Sequence, residues 1–283
     1  MSGLRATMGT MGDGYDPGFL RVALDLPAPD LPTILLNYTH FSVRLLPARR
    51  LAGVTGVNID GQALVPLGRE GTWHFDPRVS QGLQTGPDVY RHNDLDRGHL
   101  VRRLDPVWGD DSTALAANQD TFSYPNAAPQ AAAFNQGKEL WAGLEDHVLR
   151  HASRYDARIS VFTGPVLDAG DLPYRGIQIP RKFWKIAAWT MEGVLAAAGF
   201  LLDQSPLLGP AELARVIRER LLAEEPPPLG PFRTFQVPIA QIAGLTGIVL
   251  TRLAGADRFA AGAPQSVPAG AALALTDLRQ VRL

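Results

Sequence analysis

The order of strand and helix patterns along the chain constrains the fold more than any other feature of the sequence. Residues 34–60 are rich in β-branched and aromatic residues and end at the turn signal Asp60-Gly61, which predicts two strands. The stretches "TWHFDP" (72–77), "ISVFTGPVL" (159–167) and "KFWKIAAWT" (182–190) predict further strands. Helical patterns interrupt these strands without a regular βαβ alternation. The sequence therefore predicts an α+β fold.

Two segments have helical periodicity. Residues 129–155 place Phe134, Trp141, Leu144 and Val148 on one apolar stripe. Residues 211–225 form an amphipathic pattern that ends before three consecutive prolines. Residues 231–250 predict one more strand followed by a short helix.

Composition divides the chain into a polar N-terminal tail (1–16), a body (17–255) and an Ala/Gly/Pro-rich C-terminal appendage (256–283), of which 272–281 are expected to dock back onto the body. No signal-like apolar run follows the N-terminus, and no stretch approaches the roughly 18 apolar residues of a membrane span. Together with the absence of cysteine, this predicts a cytoplasmic protein, with signal-free export left open.

The charge balance excludes a strongly basic protein that coats nucleic acid, because 27 basic and 28 acidic residues give a net charge of −1. Only Lys138, Lys182 and Lys185 are lysines, so 24 of the 27 basic residues are arginines. The planar guanidinium suits phosphate contacts. A GC-rich genome also favours arginine over lysine, and this explains most of the bias without a functional role for the arginines.

The tetrapeptide Asp96-Arg97-Gly98-His99 is the first candidate site. Histidine accepts a proton near neutral pH, and arginine supplies a fixed positive charge for phosphate. Glycine lets the backbone approach a substrate or adopt a positive φ. These residues suit hydrolysis of a phosphodiester, for which a metal ion is still missing. The alternative is a turn that carries a surface histidine.

Three oxygen-bearing side chains downstream are candidates for that metal site. Asn126 and Asn135 flank the start of the predicted helix at 129, and Glu145 lies further along it. Amide carbonyls and carboxylates are the hard donors that Mg²⁺ takes. Each residue also has a structural alternative, since Asn126 suits a cap or turn, Asn135 a solvated helix position and Glu145 a surface charge.

The motifs "DRGHL" (96–100), "DTF…N.APQ…FNQG" (120–137) and "LED" (144–146) resemble the DNA/RNA non-specific endonucleases of the ββα-metal superfamily. The similarity runs in order over roughly residues 35–250 and includes "VFTGPVL" and "IQIPRKFWKIAAW". The stretch "DRGHLVRRLDPVWG" is most similar to a bacterial branch. The resemblance implies a central, mainly antiparallel sheet with flanking helices and a ββα-metal finger that contains His99 and Asn135.

The resemblance also implies an activity: Mg²⁺-dependent, sequence-non-specific hydrolysis of DNA and RNA to 5′-phosphate products, with Mn²⁺ as a substitute metal. His99 would be the general base and Arg97 the phosphate contact. Asn135 would be the one direct metal ligand, and Glu145 would hold the metal-bound waters. Asn126 would help to position the site. Asp96 would steady the backbone of the motif.

The interval between Asn135 and Glu145 departs from the family pattern by an apparent two-residue insertion. Ten residues on a continuous helix leave two side chains roughly 80° apart. Glu139, one helical turn after Asn135, is therefore a rival to Glu145. The local match of "LED" favours Glu145.

Other polar residues have two interpretations each. Arg102 and Arg103 suit either the nucleic-acid backbone or ion pairs with nearby aspartates, and Arg150 suits either a basic groove or a solvated helix face. His147 and His151 have zinc-like spacing but lack the remaining elements of that motif. The other histidines outside the candidate site (His40, His74 and His92) are expected to be structural.

A second hypothesis is a catalytically inactive nucleic-acid-binding protein with the same fold. A nuclease without a secretion signal endangers its own cell, so the enzyme hypothesis also implies an inhibitor or activating partner. Related nucleases are often dimers, which leaves a homodimer open.

Overall fold

A computed structural model describes residues 12–68, 70–93, 95–131, 157–205, 208, 233–259, 272–275 and 281. Its main sheet is built from eight strands: β1 (Ile34–Tyr38), β2 (Phe41–Leu46), β3 (Leu51–Asp60), β6 (Arg158–Val166), β9 (Lys182–Met191), β10 (Val194–Asp203), β11 (Arg233–Val237) and β12 (Leu273–Leu275). The strand order is β1-β2-β3-β6-β9-β10-β11-β12, and all neighbouring strands are antiparallel. The predicted α+β class with a mainly antiparallel central sheet is confirmed.

Two small sheets, four α-helices and two short 3₁₀ helices (Gln81–Leu83 and Tyr124–Asn126) complete the described elements. One small sheet pairs β4 (Leu95–His99) with β5 (Ala127–Ala131), and the other is the hairpin of β7 (Leu172–Tyr174) and β8 (Ile177–Ile179). The helices are α1 (Pro87–Tyr90), α2 (Asp111–Asp120), α3 (Ile239–Thr246) and α4 (Thr251–Gly255). None of the helices in these parts of the chain is long and apolar enough to cross a membrane.

Both faces of the main sheet are buried, which explains the nearly continuous apolar runs in its central strands. Along β9, Phe183 and Ala187 belong to one core cluster, whereas Trp184 and Ile186 belong to the other. The first cluster includes Leu100, Val101 and Ala128, which flank or belong to the β4–β5 pair. The second includes residues of the N-terminal segment, α3 and α4. The β4–β5 pair therefore packs on one face of the sheet, opposite α3 and α4.

Some predicted elements have different bounds in the structure. Residues 34–60 form three strands rather than two, because the chain also reverses at His40, which adopts a positive φ of 65° without a glycine or proline signal. The predicted strand "TWHFDP" is wrong, since within 72–77 only His74 forms an isolated bridge, to Ser123.

The predicted helix at 129–155 is wrong at its start, because 129–131 belong to strand β5. Backbone pairing with β4 outweighs the helix propensity of the three alanines of β5. Residues 132–155 and the predicted helix at 211–225 lie outside the described residues. The alanine-rich β10 and helix α2 were not predicted. Strand β12, within the predicted C-terminal appendage, pairs with β11, in agreement with docking of 272–281.

A buried carboxylate ties β1 to the segment that precedes the candidate site. Asp76 is 3% exposed, and its Oδ2 accepts hydrogen bonds from Tyr38 Oη at 2.6 Å and from Arg78 Nη2 at 2.6 Å. The Asp76 backbone N–H donates to Gln84 Oε1 at 2.9 Å. Burial alone raises the pKa of Asp76, but the hydrogen bonds from Arg78 and Tyr38 outweigh burial and hold that pKa below its usual value.

We expect Asp76→Asn to lower the free energy of unfolding at pH 7 by about 2–3 kcal/mol, because it removes the charge that Arg78 and Tyr38 stabilise. A carboxyl with a depressed folded pKa contributes stability above its unfolded pKa of about 3.9. That contribution disappears as the pH falls through the folded pKa. Urea unfolding at a series of pH values measures the difference from wild type, which shrinks below about pH 4. Asp30→Asn, at an exposed carboxylate, is the control; a pH-independent deficit in Asp76→Asn would contradict the linkage.

Candidate active site

The candidate site lies on the β4–β5 pair. These strands are antiparallel, with Leu95 opposite Ala131 and His99 opposite Ala127. Because alternate residues of a strand face the same side, Leu95, Arg97 and His99 share one face. Leu95 packs against a cluster that contains residues of α1 and β8, whereas Ala128, opposite Gly98, packs into the core beside the main sheet. Arg97 and His99 thus lie on the side of α1 and the β7–β8 hairpin, and the alternative of a turn with a surface histidine is wrong.

Gly98 has a packing role. It lies within β4 and is not among the glycines with positive φ, so a left-handed backbone is not the reason for it. A Cβ at Gly98 would lie 2.0 Å from Gln130 Oε1 and 2.1 Å from Gln130 Cδ. Gln130 is buried on the neighbouring strand. Glycine therefore lets the Gln130 side chain cross β4 between Arg97 and His99.

Two aromatic rings contact the His99 imidazole. The Trp73 ring centroid lies 4.7 Å from that of His99, and the Phe122 ring meets it edge-on at 5.1 Å. The rings of Trp73 and Phe122 also contact each other, at 5.6 Å. Neither aromatic was singled out from the sequence, although Phe122 lies in the "DTF" motif. These contacts restrict rotation of the imidazole and bury its Nε2.

Asn126 holds the chain immediately after His99. It is fully buried; its Oδ1 accepts from the Val101 N–H at 2.8 Å, and its Nδ2 donates to the carbonyls of Val101 at 2.9 Å and Thr121 at 3.0 Å. Its backbone carbonyl accepts from the Leu100 N–H at 3.0 Å. Asn126 therefore fixes the end of β4 through the backbone two residues beyond His99.

The segment that follows is anchored on the main sheet. Trp108 Nε1 donates to the Asn58 carbonyl at 2.7 Å, and the His40 ring stacks on Trp108 at 3.4 Å. Burial lowers the pKa of His40. The tryptophan of "DPVWG" thus connects the segment after His99 to β3.

Arg97 lies over an aromatic ring. Its Cζ is 5.6 Å from the ring centroid of Tyr90, the last residue of α1. Burial raises the pKa of Tyr90, and the nearby charge of Arg97 offsets part of that rise. The Tyr90 hydroxyl is buried without a hydrogen-bond partner in the part of the chain that the structure describes. Tyr90 was not predicted as a neighbour of the site.

Arg103 holds the loop before Trp73. Its Nη1 donates to the carbonyl of Gly68 at 2.9 Å and to Asn118 Oδ1 at 3.0 Å. Asp110, one of the aspartates considered as a partner for Arg102 and Arg103, accepts from the Thr113 N–H as the N-cap of α2. Arg102 is half-buried.

The residues predicted to hold the metal ion lie in a part of the chain that the structure does not describe. Asn135, Glu139, Glu145 and Arg150 lie outside the described residues. Across the described ranges, no group of three or more His, Cys, Asp or Glu side chains is arranged to hold a metal ion. The described part of the site therefore contains His99, the predicted base, and Arg97, the predicted phosphate contact.

The sequence model of the DNA/RNA non-specific endonucleases matches residues 24–257, which include every element of this site. The chain belongs to the DNA/RNA non-specific endonuclease family. This is a family of metal-dependent nucleases, so its substrates are nucleic acids. The resemblance drawn from the motifs is confirmed.

The proteins similar to this family member include a curated relative and a solved structure. The uncharacterized protein y4fB of Sinorhizobium fredii (strain NBRC 101917 / NGR234) is 38% identical over 272 residues, which cover 87% of this chain and 40% of y4fB. The chain thus spans about two-fifths of the length of that curated relative. EndoG, in the crystal structure of the EndoG/EndoGI complex, has a TM-score of 0.57 at 16% identity, with 79% of this chain and 87% of that chain covered. EndoG therefore shares the fold.

We expect Asn126→Ala to lower the free energy of unfolding by about 2–4 kcal/mol, because buried backbone groups of Val101 and Thr121 lose their partner. Urea unfolding measures this loss. Gln119→Ala, at an exposed amide on the neighbouring helix α2, should change it by less than about 0.5 kcal/mol. Equal stability of the two variants would mean that Asn126 does not hold the end of β4.

Proposed function

We propose that this family member is a Mg²⁺-dependent, sequence-non-specific endonuclease that hydrolyses DNA and RNA and leaves 5′-phosphates. The observation that carries the proposal is the placement of Arg97 and His99 two residues apart on one face of β4, beside Trp73 and Phe122. A base and a fixed cation on one face can address the attacking water and the phosphate together.

His99 accepts the proton of the attacking water. Its ring contacts Trp73 and Phe122, so its orientation is set before the substrate binds. The Arg97 guanidinium stabilises the negative charge that develops on the phosphate oxygens. Asn126 acts on this pair indirectly, because it fixes the backbone at the end of β4.

Asn135 is the proposed ligand of the metal, and Glu145 the proposed holder of its water molecules, with Glu139 as the rival. A single amide carbonyl with several waters suits Mg²⁺, which keeps much of its hydration shell in proteins. The side chains of Arg97 and His99 on β4 fit this arrangement. They supply a positive charge and a base, and the oxygen ligands of the metal would come from Asn135 and the water molecules. When bound, Mg²⁺ polarises the phosphate and supports the leaving oxygen, and Mn²⁺ can replace it.

Contacts to phosphate carry no base information, which accounts for activity on both DNA and RNA without sequence preference. Arg102, Arg103 and Arg150 remain proposed contacts to the nucleic-acid backbone. Arg103 already binds the carbonyl of Gly68 and the Asn118 amide, so a phosphate contact would compete with these bonds.

Restraint by a partner is part of the proposal. EndoG, which shares the fold, is inhibited in its complex with EndoGI. An inhibitor or activating partner would protect a cytoplasmic nuclease's own cell in the same way. A homodimer stays a prediction.

We expect His99→Ala to reduce plasmid cleavage in Mg²⁺ by about 10²–10⁴-fold, because it removes the group proposed to take the proton from water. The assay is conversion of supercoiled plasmid to nicked and linear forms. His74→Gln is the matched control, because His74 is an exposed imidazole next to Trp73. An intact plasmid with wild type would favour the inactive nucleic-acid-binding alternative, and equal cleavage by His99→Ala would remove the proposed base.

We expect EDTA to stop cleavage and added Mg²⁺ or Mn²⁺ to restore it, because an oxygen-ligated divalent cation supports the leaving oxygen. Asn135→Ala should raise the Mg²⁺ concentration that gives half-maximal cleavage. Titration of Mg²⁺ in the plasmid assay measures that concentration for wild type and variant. Cleavage that persists in EDTA would contradict metal dependence, and an unchanged titration would exclude Asn135 as the ligand.

A further inference from the structure

We infer that two exposed arginines beyond the site, Arg91 and Arg175, extend the phosphate-binding surface of Arg97 and bind the nucleic-acid strand next to the scissile phosphate. The inference rests on the proposed function, which makes nucleic acid the substrate. It adds α1 and the tip of the β7–β8 hairpin as the track along which the strand runs.

The first step of the track is the contact between β4 and α1. Arg97 lies over the Tyr90 ring, and Tyr90 is followed directly by the exposed Arg91. The face of β4 that carries Arg97 and His99 is also the face that packs toward α1. A strand whose phosphate lies at Arg97 therefore meets the end of α1 as the next protein surface.

The second step is the tip of the β7–β8 hairpin, which rests on the end of α1. Arg175 and Gly176 form its two-residue turn with φ of 44° and 79°, the left-handed pair that joins tightly twisted strands. Arg175 Nη1 donates to the carbonyls of Asp88 at 2.9 Å and Arg91 at 2.7 Å. These bonds place the charge of Arg175 beside Arg91.

Arg175 is held rigidly and still has donors to offer. Its Cζ lies 5.1 Å over the Tyr174 ring, and the Tyr174 hydroxyl accepts from Asn93 Nδ2 at 2.9 Å. Both hydrogen bonds of the guanidinium to backbone carbonyls use Nη1, and within the described residues Nε and Nη2 make none. A guanidinium with a free edge on an exposed surface suits two parallel N–H bonds to a phosphate.

Three arginines, Arg91, Arg97 and Arg175, lie on or beside this surface, although the chain carries a net charge of −1. Asp88 is the acid whose backbone carbonyl accepts from Arg175, and its half-exposed carboxylate lies 3.9 Å from Arg50 Nη2. The three guanidinium groups are fixed cations that phosphate can meet in succession. Phosphate is the ligand that an arginine-lined, solvent-exposed surface next to a phosphodiester site recognises.

The alternative is that Arg175 only clamps the end of α1. Salt dependence separates the two, because each lost phosphate contact reduces the slope of log K against log salt by about 0.9 on duplex DNA. A clamp that merely positions α1 changes affinity without changing this slope.

The experiment measures binding of a short DNA duplex to full-length His99→Ala protein at several salt concentrations. We expect Arg91→Gln and Arg175→Gln each to weaken binding several-fold and to reduce the slope by about 0.9, whereas Arg175→Lys keeps the slope because it keeps the charge. Arg252→Gln is the matched control, since Arg252 is an exposed arginine on α4, across the main sheet. Thermal midpoints report whether each variant is folded.

Slopes equal to that of the parent protein in both glutamine variants would overturn the inference, and so would a reduced slope in Arg175→Lys. Failure of the proposed function has a different signature, because wild type would then leave plasmid intact in Mg²⁺ whatever the binding slopes are. Wild-type cleavage with unchanged slopes would remove only the arginine track.

Discussion

The pairing of β4 with β5 is the interaction on which the site depends. In register, it places Arg97 opposite Pro129 and His99 opposite Ala127, so both functional side chains face the same side. A shift of one residue would turn both to the other face, toward the core beside the main sheet. Gln130 fits across Gly98, and Asn126 holds the backbone beyond His99. These contacts fix the register from both strands.

The main sheet supports this pair, whereas the proposed base and phosphate contact, His99 and Arg97, lie on β4. Its two faces are buried by different parts of the chain, so it has the rigidity of a packed core on both sides. The β4–β5 pair covers one face, and Trp108 connects the segment after His99 to β3. On the other side of the pair, α1 and the β7–β8 hairpin complete the surroundings of Arg97. The candidate site thus lies between a sheet packed on both faces and a smaller group of elements that includes the exposed tip of the hairpin.

Two charged side chains in this region, Asp76 and Arg97, are held by buried or partly buried neighbours. Asp76 keeps its charge in the interior because Arg78 and Tyr38 donate to it, and this network holds the segment that carries Trp73. Arg97 lies over a buried tyrosine, whose ring attracts the guanidinium and orders it. Aromatic rings therefore orient both His99 and Arg97, the proposed base and phosphate contact.

Strand periodicity in β6 and β9 and the ordered motifs could be predicted from the sequence, because they depend on local residue patterns; the same motifs are the basis for proposing His99 and Arg97. The family could be recognised for the same reason. Local pattern failed where long-range pairing decided the conformation: the alanines of β5 and β10 favour helix, yet each strand is fixed by its neighbours in the sheet. His40 reverses the chain without a turn residue because the surrounding contacts compensate for its positive φ.

The sequence by itself thus determined the chemical groups, since these are residue identities at short spacing. Only the tertiary structure decided which face those groups share and that Trp73, Phe122 and Tyr90 contact them, because contacts between residues distant in the chain arise from packing and leave no periodic signal.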